Sequence, residues 1–299
     1  MEVRHLRYFL ALAEELHFGR AAARAHIEQS PLSRSITQLE EELGVVLLNR
    51  SRQGNTLTPA GQALRDYAAQ ILTTIERARR TVTDIGGLPP LLTVGLADGL
   101  VQPRLSELFR RWRDAEPQAA LRIRELPAFE QHEALQTERV DIALTFGMSQ
   151  TSRMIVEPIW SDPIVILVPC GHPLAKASAL TLQEVVAHTL VLCHPRAKPG
   201  LRAQLDELLR AWQPTLAEPA DTPAGMIAKV GAGCGLGFMD ANHAQTLQRD
   251  DVVMVPLAEP RARLTVCAAT KAGRDDRLSG FVARFIALAR SLDDTALNG

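Results

Sequence analysis

The chain has 299 residues, 46% apolar and 22% charged, with a formal net charge of −1, so it is long enough for two or three cored domains and has no global basic field for nucleic acid. The opening MEVRHLRYFL has no apolar core of signal-peptide length, and no run approaches the ~18 apolar residues of a membrane span. Cys170, Cys193, Cys234 and Cys267 stand singly without a CxxC pair, and together these features predict a cytoplasmic protein with no membrane partner and reduced, mostly buried thiols.

Leu6, Phe9, Leu10, Ala13 and Leu16 form a helical stripe. Phe18 then leads into Ala21, Ala22, Ala23 and Ala25, small residues that let helices approach closely. After a break at 26–29 comes SPLSRSITQLEEEL (30–43). Leu32, Ile36, Leu39 and Leu43 make one apolar stripe, with Ser30 as N-cap and Pro31 as the first helical residue. Ser33, Arg34, Thr37 and Gln38 lie opposite, short or forked side chains that suit base edges and phosphates. Alone this is an ordinary amphipathic surface helix; after a helix and a tight turn it is the reader of a helix-turn-helix. Val45–Leu48 reads as a strand, Gln53-Gly54-Asn55 as a turn and Thr56–Thr58 as the return, a β-wing whose Arg50 and Arg52 suit phosphate or a minor groove. Glu40–Glu42 fall at the far end of the reader, which leaves Arg34, Arg50 and Arg52 to cluster on the DNA side.

Thr58 and Pro59 mark another helix start. Leu64, Ala68, Ile71, Ile75, Ala78, Val82 and Ile85 then alternate by four and three, a heptad seam on a helix about 40 Å long. Gly86-Gly87 and Pro89-Pro90 stop it. A lone helix of this length has no core of its own, so the seam predicts a homodimer; heptads alone leave the direction of pairing open.

From Leu91 short strands and helices alternate. Strands are expected at LLTVGLA, ALRIREL, VDIALTF, PIVILVP, TLVLC, GLGFM, VVMVP and RLTVCAAT. Helices are expected at 103–115, 129–138, 182–187, 201–212, 224–230, 241–248 and 278–292. This rhythm predicts an α/β fold with mostly parallel sheets and ligands beyond the carboxyl ends of strands.

The order Leu6…Tyr8-Phe9, Ala21-Ala22, Gln29-Ser30-Pro31-Leu32-Ser33-Arg34, Leu39-Glu40…Leu43-Gly44, Leu47-Leu48…Arg50 and Leu57-Thr58-Pro59-Ala60-Gly61 resembles the LysR-type transcriptional regulators throughout the N-terminal region. Weaker similarities continue at Arg139–Leu144, Gly171–Ala175 and Gly231–Gly237. The resemblance implies an all-α winged helix-turn-helix domain (1–58, reader motif 18–37) and a long linker helix (59–87). An α/β effector domain (91–299) of type 2 periplasmic-binding-protein fold follows. Its two Rossmann-like subdomains would be 91–161 with 268–299, and 162–267. The DNA-facing set would be Gln29, Ser30, Pro31, Ser33, Arg34, Thr37, Gln38, Arg50 and Arg52. It further implies antiparallel pairing of linker helices, a dyad-symmetric double-stranded operator and a homotetramer built through effector domains.

The cleft positions implied are Asp98, Gly99, Leu100, Val101, Ala128, Phe129, Phe146, His194, Pro195, Arg196, Lys198 and Phe238. Where relatives often offer a hydroxyl, this chain has Gly99, Leu100 and Ala128. Positive charge is expected from His194, Arg196 and Lys198, and apolar walls from Phe129, Phe146 and Phe238, which fits a small anionic organic effector such as an aromatic or unsaturated carboxylate. Asp240 departs from the family's usual proline and puts a charge near the cleft edge.

Enzyme readings find no support. Cys193-His194 on a strand would point to opposite faces, no HxxxH or HExxH occurs, and the glycines at 231–237 precede a strand instead of following one. No catalytic residue, cofactor or metal site is expected. The rival readings are a solute-binding protein, or an α/β enzyme with a fused regulatory head.

Overall fold

The computed structural model describes residues 1–51, 54–97, 100, 102–148, 150–274 and 276–296, and of 51, 80, 83, 84, 129 and 294–296 the backbone alone. Two compact units divide the chain: Met1–Leu88 with Gln136–Arg139, and Pro89–Leu135 with Val140–Gly299. Among the described residues no helix is long and apolar enough to cross a membrane.

The first unit contains α1 (Val3–Glu15), α2 (Phe18–Arg24), α3 (Gln29–Leu43), β1 (Leu48–Ser51), β2 (Gly54–Leu57) and α4 (Pro59–Ile85). Its core is Phe9 and Leu12 of α1, Ala21 and Ala22 of α2, Leu32, Ile36 and Leu39 of α3, and Leu47 and Leu48 at the wing. Ala21 is fully buried, the small contact that brings α2 against its neighbours. The outer members of both stripes, Leu16 and Leu43, are instead exposed, because each lies where its helix ends in a left-handed turn, at Leu16 itself and at Gly44.

Three boundaries differ from the sequence reading: the start of α3, the start of the wing, and the return strand, which runs Gly54–Leu57 instead of Thr56–Thr58 and so takes in Gly54 and Asn55 of the expected turn. The N-cap of α3 is Glu28, not Ser30, which makes Pro31 the third helical residue. Its missing N–H still costs nothing there, since first-turn amides have no intrahelical partner. The wing begins later than Val45: Val45 and Val46 are exposed, and β1 pairs with β2 from Leu48↔Leu57 to Ser51↔Gly54. The reason is a long-range cap. The Glu40 carboxylate accepts the Leu47 and Leu48 amides at 2.8 and 3.3 Å and holds 45–47 as a connector.

Thr58 starts α4 as expected, its Oγ1 accepting the Gly61 amide at 3.0 Å and donating to the Val46 carbonyl at 2.8 Å. The heptad seam divides. Ala68 and Leu72, with Leu64 and Ile71 beside them, pack on Leu6 and Leu10 of α1. Further along, Ile75, Val82 and Ile85 stay exposed, as does Tyr67.

In the second unit the order is β3 (Leu91–Ala97), α5 (Pro103–Ala115), β4 (Ala120–Leu126), α6 (Ala128–Gln136), β5 (Ile142–Thr145) and β6 (Met154–Pro169). Then come α7 (Leu182–Val186), β7 (Leu190–Val191), α8 (Pro199–Leu208), α9 (Pro223–Gly231), β8 (Leu236–Asp240), α10 (Ala241–Ala244), β9 (Val252–Pro256), β10 (Arg263–Lys271) and α11 (Ser279–Ala296). The strands run β4-β3-β5-β10-β6-β8-β7, with β9 also on β6. They are not mostly parallel. β3 pairs in parallel with β4 and β5, and β7 with β8, but β6 and β10 run antiparallel to every strand they touch.

Those two strands organise the unit. β6 pairs with β10 over residues 154–163 and then with β8 and β9, so it belongs to both halves of the sheet. Its first half contains Pro158, which a period-2 reading passes over. The ladder tolerates it through a register shift between Val266 and Cys267, a bulge that relieves the missing donor. The half of the sheet with β3, β4 and β5 is the first lobe and the half with β7, β8 and β9 the second; the first is closed by α5 and α11, where the fully buried Trp112 meets Phe285 edge-to-face at 5.3 Å.

Candidate DNA-facing helix and ligand cleft

The stripe that buries Leu32, Ile36 and Leu39 turns the other face of α3 outward. Gln29, Ser30, Arg34, Thr37 and Gln38 are exposed, and Pro31 and Ser33 half-buried. Arg34 makes no hydrogen bond or ion pair among the described residues, whereas Gln38 donates to Glu42 at 3.3 Å. Arg50 is held differently. It pairs with Glu40 at 2.9 Å and lies 5.3 Å from the Phe18 ring centroid. Six residues of helix, about 9 Å, separate Glu40 from Arg34, so Arg50 does not gather with Arg34 at the first turns. Arg52 lies outside the described residues.

In the second unit a cleft of about 840 Å³ opens between the lobes. Ala128 and His132 of α6, and Phe146, Gly147 and Met148 after β5, form one wall. Pro199, Gly200, Ala203, Gln204, Glu207 and Leu208 of α8 form the other. The floor is the β6–β10 ribbon, with Ile164, Arg261, Ala262, Arg263, Thr265 and Cys267. A single amide fastens the walls: Gln204 Nε2 donates to the Phe146 carbonyl and, at 2.8 Å, to the Thr265 carbonyl, while its Oε1 accepts the Thr265 amide at 2.8 Å.

The cations of this cleft are on the floor. Arg261 is exposed and has no partner among the described residues. Arg263 donates through Nε to Ser161 Oγ at 3.0 Å and through Nη2 to the Ser161 carbonyl, with no carboxylate within ion-pair distance among the described residues. Glu207, at the rim, is paired with Arg210.

Of the residues expected from sequence, Ala128 and Phe146 line this cleft. Leu100 and Phe238 are core, 4% and 1% exposed, and so present no surface to a ligand. His194, Pro195, Arg196 and Lys198 do not line it either, because the chain turns at 194–198 to start α8 and the helix itself supplies the wall. His194 Nδ1 accepts the Arg196 amide at 3.2 Å, and Lys198 is buried at the helix N-cap. Asp98, Gly99 and Val101, and the Phe129 side chain, lie outside the described residues. Asp240 is buried, 3% exposed, not at the cleft edge; its Oδ1 accepts the His243 amide at 2.7 Å and caps α10. The floor has a period-2 signal in the sequence: Arg261, Arg263, Thr265 and Cys267 alternate with the buried Ala262, Leu264, Val266 and Ala268.

The thiols divide evenly instead of being mostly buried. Cys170 and Cys234 are exposed, Cys193 is buried and Cys267 half-buried. Burial pushes the Cys193 thiol up to about 11 and also raises Cys267, so both are protonated, poor nucleophiles at neutral pH.

Comparison with known proteins agrees with this geometry. The family model described as "LysR substrate binding domain" matches residues 86–293, and that of the "Bacterial regulatory helix-turn-helix protein, lysR family" matches residues 3–62. The chain is similar to the HTH-type transcriptional regulator AlsR of Bacillus subtilis (strain 168), 32% identical over 256 residues that cover 84% of each chain. It is similar to the HTH-type transcriptional regulator CatR of Pseudomonas putida, 33% identical over 270 residues, 88% of this chain and 90% of the relative. The crystal structure of full-length BenM, a regulator of Acinetobacter baylyi, superposes with a TM-score of 0.60 at 26% identity over 98% of each chain. A helix-turn-helix and an α/β domain, matched by two models of one family on either side of the long helix, with relatives 32% and 33% identical over most of the chain, make this chain a member of the LysR family of transcriptional regulators.

Proposed function

We propose that this regulator reads a dyad-symmetric operator through the outward face of α3, as a homodimer joined along α4, and that a small organic anion in the cleft controls it. The observation that carries the ligand reading is the pair of guanidiniums on the cleft floor, neither within ion-pair distance of a carboxylate among the described residues. An anion between Arg261 and Arg263, with its apolar part against Phe146, Met148 and Leu208, satisfies both. A thermal-shift screen of organic acids on the full chain tests it. A hit should weaken by about 1.5–3 kcal/mol in Arg263→Ala, the worth of a hydrogen bond to a charged group, and persist in Arg196→Ala. Preference for neutral or cationic compounds, or equal binding to both variants, defeats the proposal.

On the DNA side, Arg34 is exposed and uncommitted, one turn from Ser30. Arg34→Ala should lower operator affinity by about 1–3 kcal/mol in a gel shift, most of it sequence-specific. Wild-type affinity would mean that another face reads the operator. The dimer reading is supported by Val82 and Ile85, apolar seam residues 69% and 81% exposed near the end of α4. Val82→Asp with Ile85→Asp should give monomers in sedimentation at unchanged helix content, and a surviving dimer would locate the interface elsewhere. A tetramer through effector domains stays part of the proposal, and the same sedimentation run reads it.

A further inference from the structure

Asp162 of β6 and Asp240 at the end of β8 are each only 3% exposed, and they meet beside the ribbon that joins the lobes. Gln102, the N-cap residue of α5, lies between them, 4% exposed. Its Nε2 donates to Asp240 Oδ1 at 2.9 Å and to Asp162 Oδ2 at 3.3 Å, and its Oε1 accepts the Trp160 indole N–H at 3.0 Å. One first-lobe side chain thereby holds the ribbon and the second lobe together. Every polar atom of the amide is committed.

The surrounding charges do not balance. Facing the pair from α5 is Arg104, whose Nη2 is 3.1 Å from Asp162 and whose Nη1 is 3.5 Å from Asp293 of α11. Arg104 also lies 5.6 Å from the Trp160 ring centroid. Arg263 faces Asp162 from β10, and His243 faces Asp240 from α10. Burial lowers the His243 pKa against the pull of Asp240 and so disfavours its cationic form; with His243 neutral, Asp162, Asp240 and the partly exposed Asp293 oppose Arg104 and Arg263, which leaves one negative charge in excess.

We infer that Gln102, Asp162 and Asp240 form a proton-linked tie between the lobes of the effector domain, which takes up one proton on acidification and then holds the lobes more firmly. With both carboxylates ionised, the tie works against their mutual repulsion. One added proton removes the excess charge and leaves the Gln102 bonds in place. Arg263 also stands on the cleft floor, so an anion bound there draws on one of the two cations that oppose these carboxylates. Burial, with the neighbouring Asp240 and Asp293 charges, pushes Asp162 up to about 6 against the pull of Arg104, and burial also raises Asp240. Because the folded value lies above the ordinary 3.8, the stabilisation is complete below that value and fades as pH rises through about 6.

Trp160 reports on the tie directly. Full-length protein carrying 5-fluorotryptophan gives fluorine signals for Trp112, Trp160 and Trp212, with Trp160 assigned by Trp160→Phe. The Trp160 signal should shift between pH 5 and 7.5 with one midpoint near 6, and the shift should vanish in Asp162→Asn. Asp240→Asn should lower the midpoint by removing a like charge. As a second measurement, the thermal midpoint of wild type relative to Asp162→Asn should rise from pH 7 to pH 5. A Trp160 signal that stays flat in folded wild type overturns the proposal. So does one midpoint common to wild type and both variants, or a midpoint lost only in His243→Gln.

Discussion

Gly200→Ala is expected to prise the cleft walls apart and remove the response to any ligand found in the screen. Gly200 is the second residue of α8, and a Cβ there would lie 2.2 Å from the Gly147 carbonyl oxygen and 2.8 Å from its carbon and nitrogen. Backbone atoms cannot swing aside as a side-chain tip can. Alanine in a helix normally gains up to about 1 kcal/mol over glycine, but forcing extra volume into a packed contact costs about 1–3 kcal/mol, so the clash decides the sign. Gln204, one turn along, would lose its reach to Phe146 and Thr265. The measurement is thermal unfolding of the full chain with and without the ligand. A variant with the wild-type midpoint and ligand shift would show that the walls do not meet so closely in solution.

Gly61→Ala should disable the N-terminal unit while sparing the other. Gly61 is the third residue of α4, and its Cβ would lie 2.2 Å from the Leu47 carbonyl oxygen, which also accepts the Thr58 amide at 2.9 Å. That carbonyl fastens the base of the wing to the start of the helix, so the wing and α4 must separate. A loss of about 1–3 kcal/mol is expected, with operator binding lost in a gel shift. Both tyrosines, Tyr8 and Tyr67, are in this unit, and the three tryptophans, Trp112, Trp160 and Trp212, are in the other. Far-UV circular dichroism should therefore show an early transition that tryptophan fluorescence does not follow. A single coincident transition at the wild-type temperature would contradict the clash.

Much of this architecture is written in local periodicity. Leu32, Ile36 and Leu39 specify which face of α3 is buried, and hence that Arg34, Thr37 and Gln38 point outward, because helical spacing relates neighbours without reference to the rest of the chain. The strand–helix rhythm from Leu91 is of the same kind, and most of its elements form within a few residues of their expected bounds. Tertiary structure decided who meets whom. The wing starts where it does because Glu40 reaches across to Leu47 and Leu48, and the α4 seam divides because α1 takes part of it. α8 forms a cleft wall where the loop before it was expected to, because two glycines, Gly147 and Gly200, bring their backbones into contact across the lobes. Asp240, read as an edge charge, is buried because Gln102 meets it from 138 residues away. A periodic pattern records that a face is covered; the covering partner is chosen by long-range geometry, which no window of sequence contains.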